Sequence, residues 1–238
     1  MAASGLDPST IFPFPLDDFQ LEAIDALNQG HSVVVSAPTG SGKTLVGEYA
    51  IHRALAHGQK VFYTTPLKAL SNQKLRDFRE AYGDDNVGLM TGDLSVNREA
   101  SIVVMTTEIF RNMLYAEASE HDDPLADVEA VVLDECHYMN DSQRGTVWEE
   151  SIIHCPPSVQ LVALSATVAN AGQLTDWIEK VHGPTTLVLS DYRPVPLQFS
   201  FCSAKGLHPL LNDAGTGLHP NCKVWRAPTG HTRKGRSA

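Results

Sequence analysis

The segment that most constrains the fold is Ser36-Ala37-Pro38-Thr39-Gly40-Ser41-Gly42-Lys43-Thr44. A short apolar run at residues 33–35 precedes it and predicts a buried parallel strand, whereas residues 43–57 carry apolar side chains at helical spacing. Gly40 and Gly42 let the backbone curl so that its N–H groups point inward, and the helix adds the positive end of its dipole. The segment therefore predicts a strand, a phosphate-binding loop and a helix.

Two side chains of this loop have expected roles. Lys43 is placed to reach the β- and γ-phosphates of a nucleotide, and the Thr44 hydroxyl is placed to ligate Mg²⁺. The general G-x-x-x-x-G-K-[ST] pattern has Gly where this chain has Ala37, and Ala at that position is common in loops of the helicase type. We predict that the nucleotide is bound by Ala37, Pro38, Thr39, Gly40, Ser41, Gly42, Lys43 and Thr44.

An acidic pair, Asp134-Glu135, ends a second apolar run at residues 128–133. If the strands at 33–35 and 128–133 are parallel neighbours, the pair lies beside the loop, because open α/β sheets bind ligands at the carboxyl ends of their strands. Phosphoryl transfer needs a carboxylate that holds the metal and an acceptor that positions the attacking water. We assign Asp134 to the Mg²⁺ and Glu135 to the water as general base.

Three motifs, in order along the chain, resemble motifs I, II and III of superfamily 2 DExH-box helicases: the loop, Asp134-Glu135-Cys136-His137 and Ser165-Ala166-Thr167. Residues 12–24, 65–74, 106–114, 137–150 and 193–197 resemble segments of the superkiller and exosome-cofactor RNA helicases. The resemblance implies that the nucleotide is ATP, that Phe14 stacks on the adenine and that Gln20 bonds its edge. It also implies that His137 links the ATP site to Ser165, Ala166 and Thr167.

The resemblance further implies contacts with a nucleic-acid strand. The candidate segments each follow a predicted strand, so they line the same sheet edge: Pro66-Leu67-Lys68, Thr91-Gly92-Asp93, and Thr106-Thr107-Glu108 with Arg111. Their local pattern alone fits ordinary strand-to-helix turns capped by Thr or Gly equally well. Such contacts reach the sugar-phosphate backbone, so they do not choose between RNA and DNA.

Apolar runs alternate with helical patterns along most of the chain. Strands are predicted at residues 60–65, 87–90, 102–106, 128–133, 160–165 and 185–189, and helices between several of them, such as 67–82 and 168–181. This alternation predicts an α/β fold, a RecA-like P-loop NTPase domain at residues 1–203 with a mostly parallel sheet and helices on both faces. We see no membrane span and no secretion signal, and therefore expect a cytoplasmic protein, with an organellar location left open.

Charge divides the sequence unevenly. The net charge of −10 comprises −15 in residues 1–203 and +5 in residues 204–238, which we predict to be a basic, flexible tail or the start of a truncated insertion. Such a tail is either an RNA-binding arm or simply solvated. We considered that Leu207, Leu210 and Leu211 form a short helical turn. The four cysteines have no C-x-x-C spacing, so neither a metal site nor a disulfide framework is expected.

No segment resembles the arginine-finger motif, Gln-x-x-Gly-Arg-x-Gly-Arg, that the second RecA-like domain of such helicases supplies. We therefore predict the N-terminal, ATP-hydrolysing part of an RNA helicase, which binds Mg²⁺-ATP and single-stranded RNA or an RNA duplex with an overhang. Full activity is expected to need the second RecA-like domain. Two alternatives remain: a DNA helicase or translocase of the same superfamily, and a nucleotide-binding RNA module without turnover of its own.

Overall fold

The structure, a computed structural model, describes residues 5–115, 124–140, 145–203, 206–212, 214–220 and 222. The chain divides into two compact units, Met1–Pro194 and Val195–Ala238. In the described part of the chain, no helix is long and apolar enough to cross a lipid bilayer.

Eight strands form the sheet of the first unit within the described residues: β1 (Ser32–Ser36), β2 (Lys60–Thr65), β3 (Val87–Met90), β4 (Ser95–Val96), β5 (Ile102–Thr106), β6 (Val128–Leu133), β7 (Gln160–Ser165) and β8 (Thr185–Leu189). Their order across the sheet is β4-β3-β5-β2-β6-β7-β1-β8. Every neighbouring pair is parallel except β3 with β4. The predicted α/β class with a mostly parallel sheet is confirmed.

Burial on both faces of the sheet explains why these strands could be predicted from the sequence. All residues of β1, β5 and β6 are buried, and such strands appear as continuous runs rich in Val, Ile and Leu. The six runs predicted after β1 match β2, β3, β5, β6, β7 and β8 residue for residue. Strand β4 was not predicted, because it is only two residues long and both are exposed.

Helices cover both faces of the sheet, as predicted. They are α1 (Pro8–Ile11), α2 (Asp18–Asn28), α3 (Thr44–His57), α4 (Lys68–Tyr82), α5 (Thr107–Tyr115), α6 (Gly145–His154) and α7 (Ala171–Val181), with 3₁₀ turns at Asp84–Asn86 and Cys136–Asn140. Val33 and Val35 belong to an apolar cluster with α2, α3 and α4, whereas Val34 belongs to a second cluster with α5, α6 and α7. The predicted helix at 168–181 begins three residues later than expected, at Ala171.

The second unit corrects one expectation for the C-terminal region. Strands β9 (Ser200–Ser203) and β10 (Gly206–Pro209) of this unit pair as antiparallel neighbours. The domain boundary after residue 203 stays a prediction. The helical turn considered for Leu207, Leu210 and Leu211 is wrong: Leu207 lies in β10, and Leu211 pairs with Leu218 in an antiparallel bridge. The basic residues 205, 223, 226, 233, 234 and 236 lie outside the described part of the chain.

A buried polar network joins the helices to the amino ends of β6 and β7. The Arg53 side chain, 1% exposed, donates from Nε to Glu129 Oε1 at 2.5 Å and from Nη1 to the Leu27 carbonyl at 2.6 Å. Glu129 Oε2 lies 2.8 Å from His57 Nδ1, and Gln160 accepts from Arg53 Nη2. Each of the three guanidinium nitrogens thus donates one hydrogen bond, and the charge is paired with Glu129, which makes its burial tolerable.

Removal of Glu129 alone is expected to lower the free energy of unfolding more than removal of both Arg53 and Glu129. Glu129→Ala leaves the Arg53 charge buried and unpaired, so the free energy of unfolding should fall by about 3–5 kcal/mol. Arg53→Met/Glu129→Leu replaces the pair by apolar groups of similar size and should recover much of that loss. Urea unfolding measures both; a double variant that is less stable than Glu129→Ala would contradict this view of the pair.

Candidate functional site

The carboxyl edge of the sheet brings the predicted motifs together, but not through neighbouring strands. The phosphate-binding loop follows β1 and the acidic pair follows β6, and the two strands are parallel but separated by β7. The expectation that β1 and β6 adjoin is therefore wrong. Ser36 pairs with Ser165 in the β1–β7 register, so the Ser165-Ala166-Thr167 segment stands between the loop and the acidic pair. This position suits the coupling role that the resemblance implies for that segment.

The loop is curled by two glycines and fastened to β7. Gly40 and Gly42 have φ angles of 85° and 84°, in the left-handed region that favours glycine. The Ser41 N–H donates to the Pro38 carbonyl at 3.2 Å, and the Ala37 N–H donates to the Ser165 carbonyl at 3.2 Å. Ala37 is fully buried with an ordinary φ, so this loop has no need for the Gly of the general pattern.

Two polar side chains of the loop fit a phosphate ligand. Ser41 Oγ is buried and has no hydrogen-bond partner in the described part of the chain, which is costly unless a ligand or water satisfies it. Lys43 is only 6% exposed and has no ion pair within that same part. Thr44 is the first residue of α3, so its N–H is one of the four at a helix start that lack an intrahelical partner. A polyanion at this position would satisfy all three groups.

Gln20 ties the start of α2 to the loop. Its Oε1 accepts from the Asp17 N–H at 2.9 Å, and its Nε2 donates to the Gly42 carbonyl at 3.1 Å. An amide has two donors and two acceptor positions, so one of each remains for the adenine edge. The structure thus gives Gln20 a structural role that the sequence did not reveal.

Phe14 lies near the start of α2 with its ring half exposed. The side chain is 53% exposed, and its ring centroid lies 6.0 Å from that of the buried Phe12. It lines a cavity of about 180 Å³ together with Pro8, Leu16 and Leu21. An aromatic face is therefore accessible at the position where the resemblance implies stacking on a base.

The carboxylate of Asp134 is held by one donor at each oxygen. Oδ1 accepts from the Glu135 N–H at 2.9 Å, and Oδ2 accepts from the Tyr63 hydroxyl at 2.8 Å. Burial, followed by the Asp134 charge, raises the pKa of Tyr63 well above its usual value, so the phenol stays protonated and donates. Tyr63 was missed from the sequence, where it appeared only as one apolar residue of β2.

Glu135 adopts a strained backbone. Its φ of 54° is left-handed, a conformation that costs a non-glycine residue about 1–2 kcal/mol. Its carboxylate points toward His137, with Oε2 3.2 Å from Nδ1. Backbone strain of this kind is found at functional sites, where the surrounding structure maintains it.

His137 has two possible partners for one nitrogen. Nδ1 lies 3.2 Å from Glu135 Oε2 and also 3.4 Å from the Ala166 N–H. The two hydrogen bonds exclude one another, because Nδ1 donates to the carboxylate only when protonated and accepts from the amide only when it is not. His137 therefore adjoins both the acidic pair and the Ser165-Ala166-Thr167 segment.

The remaining residues of that segment differ in exposure. Ser165 is buried and donates to the Ala166 carbonyl at 2.8 Å, whereas Thr167 is exposed. Cys136 is buried behind the acidic pair, and burial raises the pKa of its thiol to about 12. The thiol is thus protonated and unreactive near neutral pH.

The predicted nucleic-acid segments also meet at the carboxyl edge, after β2, β3 and β5. The Lys68 ammonium and the Asp93 carboxylate form an exposed ion pair, which lowers the pKa of Asp93 and joins the segment at residues 66–68 to the segment at 91–93. Thr91 donates to Asp93 Oδ1 at 3.0 Å. Within the described residues, no group of three or more His, Cys, Asp or Glu side chains forms a metal cluster.

Several side chains of these segments already have partners. Thr107 is 1% exposed and donates to the Thr65 carbonyl at 3.2 Å, and Thr106 is 9% exposed. Arg111 lies 3.3 Å from Glu150 of α6, and its guanidinium also donates to Asn112. The Thr107 hydroxyl therefore forms a hydrogen bond within the domain. The groups of this segment that could bind a phosphate are the backbone N–H groups at the start of α5, beside Glu108.

The loop geometry generates a test on Gly42. A Cβ there would lie 2.8 Å from Gln20 Nε2 on a backbone with φ +84°, so Gly42→Ala should lower the free energy of unfolding by about 1–3 kcal/mol. Gly172→Ala is the matched control, because Gly172 has open space at its Cβ and lies in α7, where alanine is neutral or stabilising. Equal stability of the two variants in thermal unfolding would contradict the described loop.

Comparisons with known proteins show the family of the chain. Residues 17–174 match the DEAD/DEAH box helicase family. The DExH-box ATP-dependent RNA helicase DExH15, chloroplastic, of Arabidopsis thaliana is 55% identical over 212 residues, which cover 88% of this chain and 18% of that protein. The antiviral helicase SKI2 of Saccharomyces cerevisiae is 47% identical over 216 residues, which cover 90% of this chain and 16% of that protein.

Solved structures give the same result for the fold. The Mycobacterium smegmatis helicase Lhr, bound to ssDNA and AMP-PNP, matches 80% of this chain and 27% of its own with a TM-score of 0.61 and 28% identity. The RecA-like fold predicted from the sequence is thereby confirmed. The chain spans less than a fifth of the length of DExH15 and SKI2. The chain belongs to the DEAD/DEAH box helicase family.

Proposed function

We propose that this chain is the ATP-binding and ATP-hydrolysing part of an ATP-dependent RNA helicase. The observation that carries the proposal is the convergence, at one sheet edge, of the curled loop and a fixed Asp134. Within the described residues, Ser41 Oγ of this loop has no hydrogen-bond partner and Lys43 has no ion pair. Its relatives DExH15 and SKI2 are helicases, and the first is named as ATP-dependent and acting on RNA. The activity of a whole helicase is proposed only together with a second RecA-like domain that would complete the cleft.

For nucleotide binding, the loop N–H groups and Lys43 are assigned to the phosphates, with Ser41 as a further donor. Thr44 and Asp134 would hold Mg²⁺, and the metal, when bound, supplies positive charge against the developing charge of the phosphates. Each oxygen of the Asp134 carboxylate accepts one hydrogen bond and keeps a second acceptor position, which fits this role. Adenine is assigned to the exposed face of Phe14 and to the unused donor and acceptor of Gln20.

For hydrolysis, Glu135 is assigned as the base that orients the attacking water. Its backbone is left-handed, with a φ of 54°, and its Oε2 lies 3.2 Å from His137 Nδ1. His137 is assigned to coupling, because its Nδ1 reaches both Glu135 and the Ala166 N–H. A change of the hydrogen-bond partner of this nitrogen, from Glu135 to the Ala166 N–H, would connect a change at the ATP site to the segment at 165–167.

For the strand, the residues at 66–68, 91–92 and 106–108 are assigned to backbone phosphates, with Arg111 at their side. These contacts use helix-start N–H groups and few positive charges, which suits an acidic domain. RNA is favoured by the naming of DExH15 as an RNA helicase. A DNA helicase or translocase is the second candidate, because the fold is shared with Lhr bound to ssDNA.

A first test separates nucleotide binding from hydrolysis. Glu135→Gln keeps the size of the side chain but removes a proton acceptor, so binding of Mg²⁺-ATP should persist while single-turnover phosphate release falls by about 100-fold or more. Glu179→Gln, an exposed position on α7, is the matched control and should leave both unchanged. Phosphate release at the original rate in Glu135→Gln would reject the assigned base, whereas binding without any phosphate release in the wild type would favour a module without its own turnover.

A second test compares single-stranded RNA and DNA of the same sequence by fluorescence anisotropy, with Mg²⁺ and a non-hydrolysable ATP analogue. RNA should bind more tightly than DNA. Both affinities should be modest and should fall as the salt concentration rises, because one domain neutralises few phosphates. Lys68→Ala/Arg111→Ala should reduce this affinity, whereas Lys180→Ala, an exposed residue at the end of α7, should not.

Two outcomes of the second test would redirect the proposal. Equal or tighter binding of DNA would favour the second candidate. Loss of binding on removal of residues 223–238, with no effect of Lys68→Ala/Arg111→Ala, would assign RNA binding to the basic C-terminal segment. That truncation leaves the β9–β10 hairpin in place, so the two sources of binding are separated.

A further inference from the structure

Tyr63 connects the centre of the domain to the assigned metal ligand. It is fully buried in β2, and its hydroxyl donates to Asp134 Oδ2 at 2.8 Å across the β2–β6 pair. Register explains the contact: Tyr63 pairs with Val132, and Thr64 pairs with Leu133, so the tyrosine lies just before the end of β6 where Asp134 emerges. The Asp134 N–H donates to the Thr64 carbonyl at 3.0 Å, which continues the ladder past the strand.

We propose that Tyr63 is a positioning residue that fixes the Asp134 carboxylate for Mg²⁺, an inference that rests on the proposed function. The Tyr63 hydroxyl and the Glu135 N–H each occupy one carboxylate oxygen, at 2.8 Å and 2.9 Å. One side-chain donor and one backbone donor thus set the rotation of the carboxylate. Each oxygen then keeps one acceptor position with which to bind a cation, as in other metal sites where outer hydrogen bonds orient the ligands.

The Tyr63 ring is held by two helices, so its hydroxyl has little freedom. On one side α3 approaches closely at Gly47, where a Cβ would lie 3.3 Å from the ring atom Cε2. On the other side, the Phe78 ring of α4 meets it edge-on, with centroids 5.0 Å apart and planes at 77°. The Lys74 ammonium of α4 lies 5.3 Å from the Tyr63 centroid, within the range of a cation–π contact.

These two helices begin at the two ligand-binding segments. Helix α3 starts at Thr44 of the phosphate-binding loop, and α4 starts at Lys68 of a segment assigned to the nucleic acid. Tyr63 is therefore in contact with both helices and with Asp134. Phe78 and Lys74 of α4 are thus separated from Asp134 by the Tyr63 side chain alone.

The test is a titration of Mg²⁺ against binding of a fluorescent ATP analogue. Tyr63→Phe retains the ring and removes only the hydroxyl, so analogue binding in EDTA, which depends on the loop and Lys43, should be unchanged. The Mg²⁺ concentration that gives half of the metal-dependent increase in affinity should rise about 10- to 100-fold, the usual effect of losing an outer hydrogen bond to a metal ligand.

Tyr49→Phe is the matched control. Tyr49 is equally buried in α3, but its hydroxyl bonds Leu6 and Asn28, away from the carboxyl edge. Its removal should leave the Mg²⁺ midpoint unchanged, which separates positioning from a general loss of stability. In an Asp134→Asn background, Tyr63→Phe should add no further loss, because the tyrosine acts through Asp134.

The outcomes distinguish this inference from the proposed function. Absence of any Mg²⁺-dependent binding in the wild type would reject the proposed function itself. Normal binding in the wild type with an unchanged Mg²⁺ midpoint in Tyr63→Phe would overturn the inference alone. If Tyr63→Phe melts below the assay temperature, wild type and variant are both titrated below the melting temperature of the variant, and an unchanged midpoint there would overturn the inference.

Discussion

The placement of β7 between β1 and β6 is the constraint on which the site depends. Parallel pairing in register sends the loops after β1, β6 and β7 to one edge, and Ser165 comes to lie opposite Ser36. The loop is then fastened to β7 by the hydrogen bond from the Ala37 N–H to the Ser165 carbonyl. Because of this order, the segment at 165–167 contacts both the loop and His137, and the proposed coupling would need no additional element.

Most of the fold could be predicted from the sequence, and so could the candidate nucleotide-binding loop, whose role stays a prediction. Buried parallel strands require unbroken apolar runs, and a phosphate-binding loop requires glycines and a lysine at fixed spacing, so both leave a strong local pattern. What could not be predicted depends on contacts between distant segments. Tyr63 reaches Asp134 only through the β2–β6 register, and Gln20 reaches Gly42 only once α2 packs against α3. The hairpin after residue 199 likewise lacks the apolar alternation that predicts a strand.

An acidic protein can contact polyanions when the contacts are local. The groups assigned to phosphates are mainly backbone N–H groups at a loop and at helix starts, which carry partial positive charge and no formal charge. Positive side chains at the edge are few and partly neutralised, as in Lys68 with Asp93 and Arg111 with Glu150. In this proposal, recognition of phosphates depends on the geometry of the N–H groups more than on long-range electrostatic attraction. Full affinity for a nucleic-acid strand is expected only when a second domain closes the cleft.

The central claim is that one carboxyl edge binds Mg²⁺-ATP with Lys43 and Thr44 on one side and Asp134 on the other. Crystallisation of the chain with Mg²⁺ and a non-hydrolysable ATP analogue tests this most directly. The account predicts phosphates against the loop N–H groups, Ser41 Oγ within hydrogen-bond distance of a phosphate oxygen, and the Tyr63–Asp134 hydrogen bond retained beside the metal. A nucleotide bound elsewhere, or an Asp134 carboxylate turned away from both Tyr63 and the metal, would contradict it.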